Sequence, residues 1–570
     1  MIFDIETDGL NPTKIHCVVI NGEVFTDIDK AVEMLGFAKE IIGHNIIGFD
    51  IPALQKFYPY FQPKKVIDTL VLSRLIFPDM IDRDVVLKDF PSKLIGRHSL
   101  EAWGHRLHLH KGDYSGDWQE CTQEMLDYCV QDVAVTTKLY EKLKAEGFSE
   151  ESINLEHAVA HIIHEQTKTG FAFNTYKAQG LVSELSDRRE KLKKLLSVVF
   201  PAWEIRTPFI PKVNNKTRGY VKGVEIDKVK VIEFNPGSRD HVANRLIAKR
   251  NWRPKQFTPD GKPKVDEKVL SGLEYPEAKL LSEYYMLQKR LGQISEGAQA
   301  WLRHEKNGRI HGQVNTNGAV TGRATHFNPN VTQTPENNKP YGKEFRSLFI
   351  PSKGRKLVGI DVSGLELRCL AHYMFPYDNG KYAKEVVSGD IHTVNQKAAG
   401  LSSRAQAKTF IYALIFGAGN LRMGQVIGKG AQAGALIKRK FFNEIPALNK
   451  LMTAVKRGSA KGFLYGLDKR KIKIRSSHSA LNALLQSCGA IICKQFLIEF
   501  NKSLLKNKLV HKANQVAWVH DEIQVEADED VAELVGKLAV EAIEKSGTHF
   551  KFRCPLTGEY NIGSSWAETH

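Results

Sequence analysis

Two carboxylates bracket a single isoleucine near the start of the chain, Asp4 and Glu6 in MIFDIETDGL. In a strand, side chains two residues apart share a face, so these acids project together while Phe3 and Ile5 face a core. Adjacent carboxylates in a partly dry site raise each other's pKa unless a cation lies between them, and oxygen ligands suit hard divalent ions. An exposed strand end with two solvated acids also accounts for the pair taken alone. Further acids extend the pattern. HNIIGFDIPAL sets Asn45 and Asp50 after a strand-like run, and YCVQD sets Tyr128 and Asp132 one helical turn apart on a common face. Asp4, Glu6, Asp50 and Asp132 are the residue types a two-metal phosphodiesterase requires, with one ion activating a water and the other stabilising the leaving oxygen. Tyr128 is placed to orient that water.

A second acidic set begins more than 220 residues beyond Asp132. KLVGIDVSGLELRCLAHYM runs from a strand ending at Asp361 into a helix with Leu367, Leu370, Ala371 and Met374 on one apolar stripe. A carboxylate at a strand end facing a helix N-terminus suits cation or phosphate binding. Ser363 and Glu366 also fit an S-x-x-E capping box, which gives that glutamate a purely structural reading. AWVHDEIQVE reads as a hairpin exposing His520, Asp521 and Glu522 at its turn, or as an ordinary polar turn. In SRAQAKTFIYALIFGAG, Arg404, Lys408, Tyr412 and Phe416 recur every four residues along one face of a helix ending at Gly417. Two cations then two rings suit a nucleoside triphosphate, the charges meeting phosphates and the rings meeting sugar and base. A solvated amphipathic helix would show the same spacing.

These residues need several elements to position them. A length of 570 residues exceeds one hydrophobic core, so several domains are expected. Residues 1 to about 145 alternate short strands (IFDI, HCVVI, KEIIGHNI) with helices such as 121–145, an α/β pattern. Residues 151–200 read as long charged helices, 201–232 as a Pro-, Lys-, Asn- and Gly-rich connecting excursion, and 238–305 as helical again. Beyond 307, strand, loop and helix mix. Lys plus Arg outnumber Asp plus Glu by 81 to 64, a net charge of +17 that favours a polyanionic partner. The seven scattered cysteines give neither a disulfide framework nor a zinc spacing, and no run of about 18 apolar residues is read as membrane-spanning. A soluble protein of a reducing compartment is expected. With Asp4 so close to Met1, no signal peptide and no further N-terminal domain are expected.

The first acidic set, in this order and span, resembles the DEDD proofreading exonucleases with a tyrosine in the third motif. DVSGLELR, R-x-x-x-K-x-x-x-Y and VHDE match, in order, the three polymerase motifs of family A (polymerase I type) DNA polymerases. The resemblance continues through FNPGSRDH (234–241), NGAVTGRATHFNPNVTQTPE (317–336) and HSALNALLQSCGAIICK (478–494). It is similar above all to the replicative polymerases of short-tailed bacteriophages. The resemblance implies an α/β multidomain chain, an RNase H-like 3′–5′ exonuclease at 1–147 followed by a right-hand polymerase. Its thumb is expected at 148–305, the palm at 306–400 and 471–570, and the fingers at 401–470.

By the same resemblance, Asp361 and Asp521 hold two magnesium ions, with manganese able to substitute, and a second pair is held by Asp4, Glu6, Asp50 and Asp132 with Tyr128 catalytic. Arg404 and Lys408 bind the incoming deoxynucleoside triphosphate, and Tyr412, Glu366 and Phe416 line its pocket, with Glu366 excluding a ribose 2′-hydroxyl. Arg323, Gln486 and His520 meet the minor groove at the primer end, His478 and Asn482 extend that contact along one helical face, and Asn235 and Ser238 meet the primer backbone. Phe416 stands where the family usually has tyrosine. Tyr412 implies good acceptance of dideoxynucleotides. The implied partners are a primed DNA template, deoxynucleoside triphosphates and a replisome helicase-primase, with the enzyme monomeric in the cytoplasm of a bacterial host. The short 201–232 segment implies no thioredoxin-type clamp. The competing readings are a nuclease with a non-catalytic nucleic-acid-binding extension, a single-subunit RNA polymerase and a non-catalytic scaffold. Two separate acidic clusters are costly for a scaffold, since they repel the backbone it binds unless metals are present.

Overall fold

Strand Phe3–Thr7 pairs antiparallel with Ile15–Ile20, which pairs in turn with Glu23–Phe25. The computed structural model describes residues 1–570 and divides them into two compact units, Met1–Ala172 with His311–His570, and Phe173–Ile310. In the first, Phe3 and Ile5 are buried as their alternation requires, packing with Leu35, Ile51 and Leu54. The other face of the same strand meets helix Gln123–Ala145 across Cys17, Val19, Cys129 and Val133, and here Asp4 and Glu6 emerge. A parallel pair, Ile41–Gly43 with Val66–Asp68, joins through the Ile2–Ile42 bridge, giving the expected α/β layer.

The larger core of this unit is built on a four-stranded antiparallel sheet in the order Ala513–Val519, Glu522–Asp528, Arg355–Val362, Gly558–Gly563. Helix Ala532–His549 packs on it and on the 27-residue helix Ala480–Lys506. That helix is long and apolar enough to cross a membrane, which departs from the sequence expectation. However, 83% of its most apolar window is buried inside the protein, as befits a core helix apolar all round. Seven helices between Leu365 and Gly458 form an adjoining helical region.

Helix Glu150–Thr169 belongs to this first unit. Its Val159 and Ile163 enter the larger core, and its Glu156 is ion-paired there, so the boundary anticipated at 148 moves to 173. The helix stops at Gly170, whose φ of +66° favours a residue without a Cβ.

In the second unit, helices Thr175–Val199 and Pro276–Leu291 pack together, and Arg189 forks onto Glu296 at 2.7 and 2.8 Å. The segment expected to be a connecting excursion is a β-ribbon, Trp203–Phe209 paired over seven positions with Ile226–Ile232. Every residue of both strands retains some exposure, so no period-2 burial pattern marked it in the sequence. The helical stretch expected at 238–305 is broken into Arg239–Arg250, Glu267–Ser271, Pro276–Leu291 with a π-helical turn at Gly292–Glu296, and Trp301–His304, with 251–266 irregular.

Candidate active sites

The first acidic site is assembled by three local devices. The Ile5 amide donates to Asp50 Oδ1 at 3.2 Å, drawing the first residue of helix Asp50–Phe57 onto the strand that carries Asp4 and Glu6. The loop before that helix is held by Asp68, which accepts from Asn45 N (2.9 Å) and Ile47 N (3.0 Å) while capping helix Thr69–Ile76. Thr122 caps helix Gln123–Ala145, setting Tyr128 and Asp132 on one face. The four acids and Tyr128 line one cleft of about 1050 Å³.

Burial pushes all four carboxyls up. Glu6 rises to about 8, with Asp132 adding to the effect, and Asp50 rises to about 7. Asp4 rises well above its ordinary value through burial and then Asp50, Asp132 and Glu6. Burial also raises Asp132, although Lys111 opposes the shift. Lys111, which the sequence reading missed, is ion-paired to Asp132 and stands 4.4 Å from the Tyr128 ring centre. No periodicity or motif marks it. Asp132 Oδ1 is buried with no partner, and donor atoms of Asp4, Glu6 and Cys129 lie within 4.8 Å of one another. One ammonium cannot neutralise four carboxylates, so the oxygen-rich donor set fits hard divalent cations.

The second site lies where strand Arg355–Val362 meets the hairpin Ala513–Val519/Glu522–Asp528. Asp361 is in register with Glu522, and the Val362 amide donates to the Asp521 carbonyl at 3.2 Å. His520 takes φ +61° in the turn, leaving Asp521 half-buried beside Asp361. Burial and then Asp521 push Asp361 up to about 7, and burial raises Asp521. Two facing carboxylates so placed also fit a divalent cation. Glu522 is not exposed at the turn as anticipated. It is buried, accepts from Trp566 Nε1 and Gln524 Nε2 at 2.7 Å each, and pairs with His570 Nδ1 at 2.7 Å.

The capping-box reading of Glu366 fails. Gly364, at φ +60°, occupies the N-cap of helix Leu365–Asp378, and Ser363 Oγ reaches Glu559 at 3.5 Å instead. Glu366 therefore faces a small pocket of about 30 Å³ together with Arg323, Gln486, His520 and Asp521. Burial and then Asp521 raise its carboxyl. Burial likewise raises Tyr412, with the charges of Glu366 and Asp521 adding to it.

Helix Arg404–Ile415 buries Ala407, Phe410, Ile411 and Leu414 and turns Arg404 and Lys408 to solvent, with Tyr412 half-buried. Phe416, 46% exposed, caps it and Gly417 follows at φ +74°. Arg404 Nε is held 2.9 Å from Asp390, the N-cap of helix Ile391–Ala399, a partner that no sequence pattern announced. Asn482 and Gln486 share a face of helix Ala480–Lys506, and Asn482 Oδ1 is buried without a partner. His478 does not continue that face, because it sits in the turn before the helix begins. In the other unit, Asn235 Oδ1 accepts from Gly237 N and Ser238 caps helix Arg239–Arg250.

Residues 212–568 match the DNA polymerase family A profile. Over the whole length of both chains, the sequence is 37% identical to the DNA-directed DNA polymerases of Enterobacteria phage T3 and Escherichia phage T7. It is 25% identical to DNA polymerase I of Aquifex aeolicus, covering 100% of this chain and 96% of that one. The fold is similar to the solved structure of the POL domain of Pol1 from M. smegmatis in complex with DNA primer-template and dNTP. That likeness has a TM-score of 0.75 at 17% identity and covers 100% of this chain and 96% of that one. The chain belongs to DNA polymerase family A.

Proposed function

We propose that the second acidic site extends a DNA primer on its template with deoxynucleoside triphosphates, and that the first site excises nucleotides from the same primer's 3′ end. The observation that carries the synthetic half is the convergence of Arg323, Glu366, Gln486, His520 and Asp521 on one pocket, with Asp361 beside Asp521. Asp361 and Asp521 would hold divalent ions, as would Asp4, Glu6, Asp50 and Asp132. Bound there, such ions lower the pKa of an attacking hydroxyl or water and neutralise a leaving oxygen. Magnesium, two ions per centre, is the reading the carboxylate sets support best.

The protein's own groups do the rest. Arg404 and Lys408 present cations along one helical face to the triphosphate. Tyr412 and Glu366 bound the sugar pocket, where the carboxylate disfavours a 2′-hydroxyl. Arg323, Gln486 and His520 face the primer end, where minor-groove acceptors occupy similar places in all correct pairs. In the first cleft, Tyr128 orients the attacking water and Lys111 holds Asp132. The bound DNA and dNTP in the M. smegmatis relative's structure and the net charge of +17 support these partners. Residues 1–147 serve as the editor, 173–310 as the thumb, and the remainder as palm and fingers, with the enzyme working in the cytoplasm of a phage-infected bacterium.

The test is extension of a primed template with four deoxynucleotides and magnesium, from a matched and from a mismatched 3′ end. The matched end should extend at once and the mismatched end after trimming, and chelator should stop both. Extension of the mismatch without trimming would contradict the editing half.

A further inference from the structure

The hairpin Gln313–Asn315/Thr325–Phe327 has two faces with different surroundings. Its register pairs Gln313 with Phe327, Val314 with His326, and Asn315 with Thr325. Paired residues share a face and neighbours alternate, so Val314 and His326 point one way and the other four residues point the opposite way. Val314 packs on the larger core, and His326 Nε2 meets the Trp518 carbonyl at 2.8 Å. The opposite face opens on the first acidic cleft. Asn315, Thr325 and Phe327 line it across from Asp4, Glu6 and Tyr128, and Phe327 is 43% exposed.

The tip of the same hairpin reaches the other site, where Arg323 and Ala324 line the pocket with Glu366 and Asp521. The loop joining the strands is fastened on both sides. Asn317 Nδ2 donates to the Arg74 carbonyl at 2.8 Å, and Lys494 Nζ donates to the Gly322 carbonyl at 2.8 Å. One braced ribbon therefore turns a face to the first centre and its connecting loop to the second.

We propose that this hairpin is the track along which the primer strand passes between the two centres, with Phe327 the stacking platform for an unpaired base at the exonuclease end. The inference rests on the two-site reading above. An unpaired strand offers bare base faces to an exposed ring, and aromatic stacking of this kind tolerates any base, as an editor requires. Gln313, Asn315 and Thr325, on the same face of the hairpin as the ring, carry amide and hydroxyl groups suited to sugar and phosphate oxygens. Because Phe327 is exposed, its removal empties no core space.

The experiment measures excision of a single-stranded oligonucleotide by the full chain carrying Phe327→Ala, Phe327→Leu or Phe327→Tyr, with Asp4→Ala alongside. Stacking predicts a KM about tenfold higher for Phe327→Ala with kcat within about twofold, corresponding to the loss of about one base stack. Phe327→Tyr should restore KM and Phe327→Leu should not, since leucine fills space without presenting a ring face. If Asp4→Ala abolishes excision while Phe327→Ala leaves KM unchanged, or if leucine restores it as well as tyrosine, the stacking role is overturned. If Asp4→Ala still excises, the two-site reading fails and this inference falls with it.

Discussion

Lys494 Nζ donates at 2.8 Å to the carbonyl of Gly322 in the protein interior, and the same ammonium is ion-paired with Glu156 from a helix more than 300 residues earlier. Arg470 joins them, 2.7 Å from Glu156 and 2.6 Å from Asp468, all four side chains being buried. Removing one charge from such a network leaves another uncompensated, at about 3–5 kcal/mol. Lys494→Met should therefore lower stability by that amount in denaturant unfolding. Lys494→Met with Glu156→Gln should cost clearly less than the two single changes summed; simple additivity would contradict a coupled network.

His326, which anchors the hairpin to Trp518, is held neutral because burial pushes its pKa down to about 4 against an ordinary 6.5. The unfolded chain therefore binds a proton that the folded chain refuses between these values. The stability contribution is complete above pH 6.5 and is lost as pH falls towards 4, by at most about 3 kcal/mol. The unfolding midpoint of wild type should fall more steeply over this window than that of His326→Gln. Parallel profiles would count against a neutral buried imidazole.

Lys111 holds Asp132 in the first cleft while its ammonium lies against Tyr128. Losing the partner that orients a ligating carboxylate typically costs about 10- to 100-fold in activity. Lys111→Met is expected to lose excision by that factor, measured on single-stranded DNA, with primer extension retained. Equal loss of both activities would point to misfolding instead.

Arg404 must exchange Asp390 for a triphosphate if it serves the incoming nucleotide. Asparagine caps a helix as well as aspartate does, so Asp390→Asn keeps the cap of helix Ile391–Ala399 and removes only the competing charge. The expected result is a KM for deoxynucleotides lowered a few-fold with kcat little changed. A raised KM would show instead that Asp390 pre-positions Arg404.

The fragments of the acidic constellations were legible in short-range geometry, whereas the meeting of Asp50 with Asp4 and of Asp361 with Asp521 is long-range and was implied by the family resemblance. Strand alternation places Asp4 with Glu6, a helical turn places Tyr128 with Asp132, and a two-residue turn presents Asp521. The anchors were not legible, because they are long-range and carry no period. Lys111 sits in an irregular loop, Asp390 meets Arg404 only once two helices pack, and Glu156 finds Lys494 across the core. Glu522 was misread as exposed because its partners, Trp566 and His570, lie 44 residues or more away in the sequence. The 201–232 ribbon escaped because neither face is buried, so hydrophobic alternation had nothing to report.

Two independent centres on one chain predict activities that can be lost one at a time. The direct measurement assays Asp521→Ala and Asp4→Ala separately, for primer extension and for excision on the same labelled primer-template. Asp521→Ala should abolish extension and keep excision, and Asp4→Ala should do the reverse. Loss of both activities in either variant would contradict two separate sites.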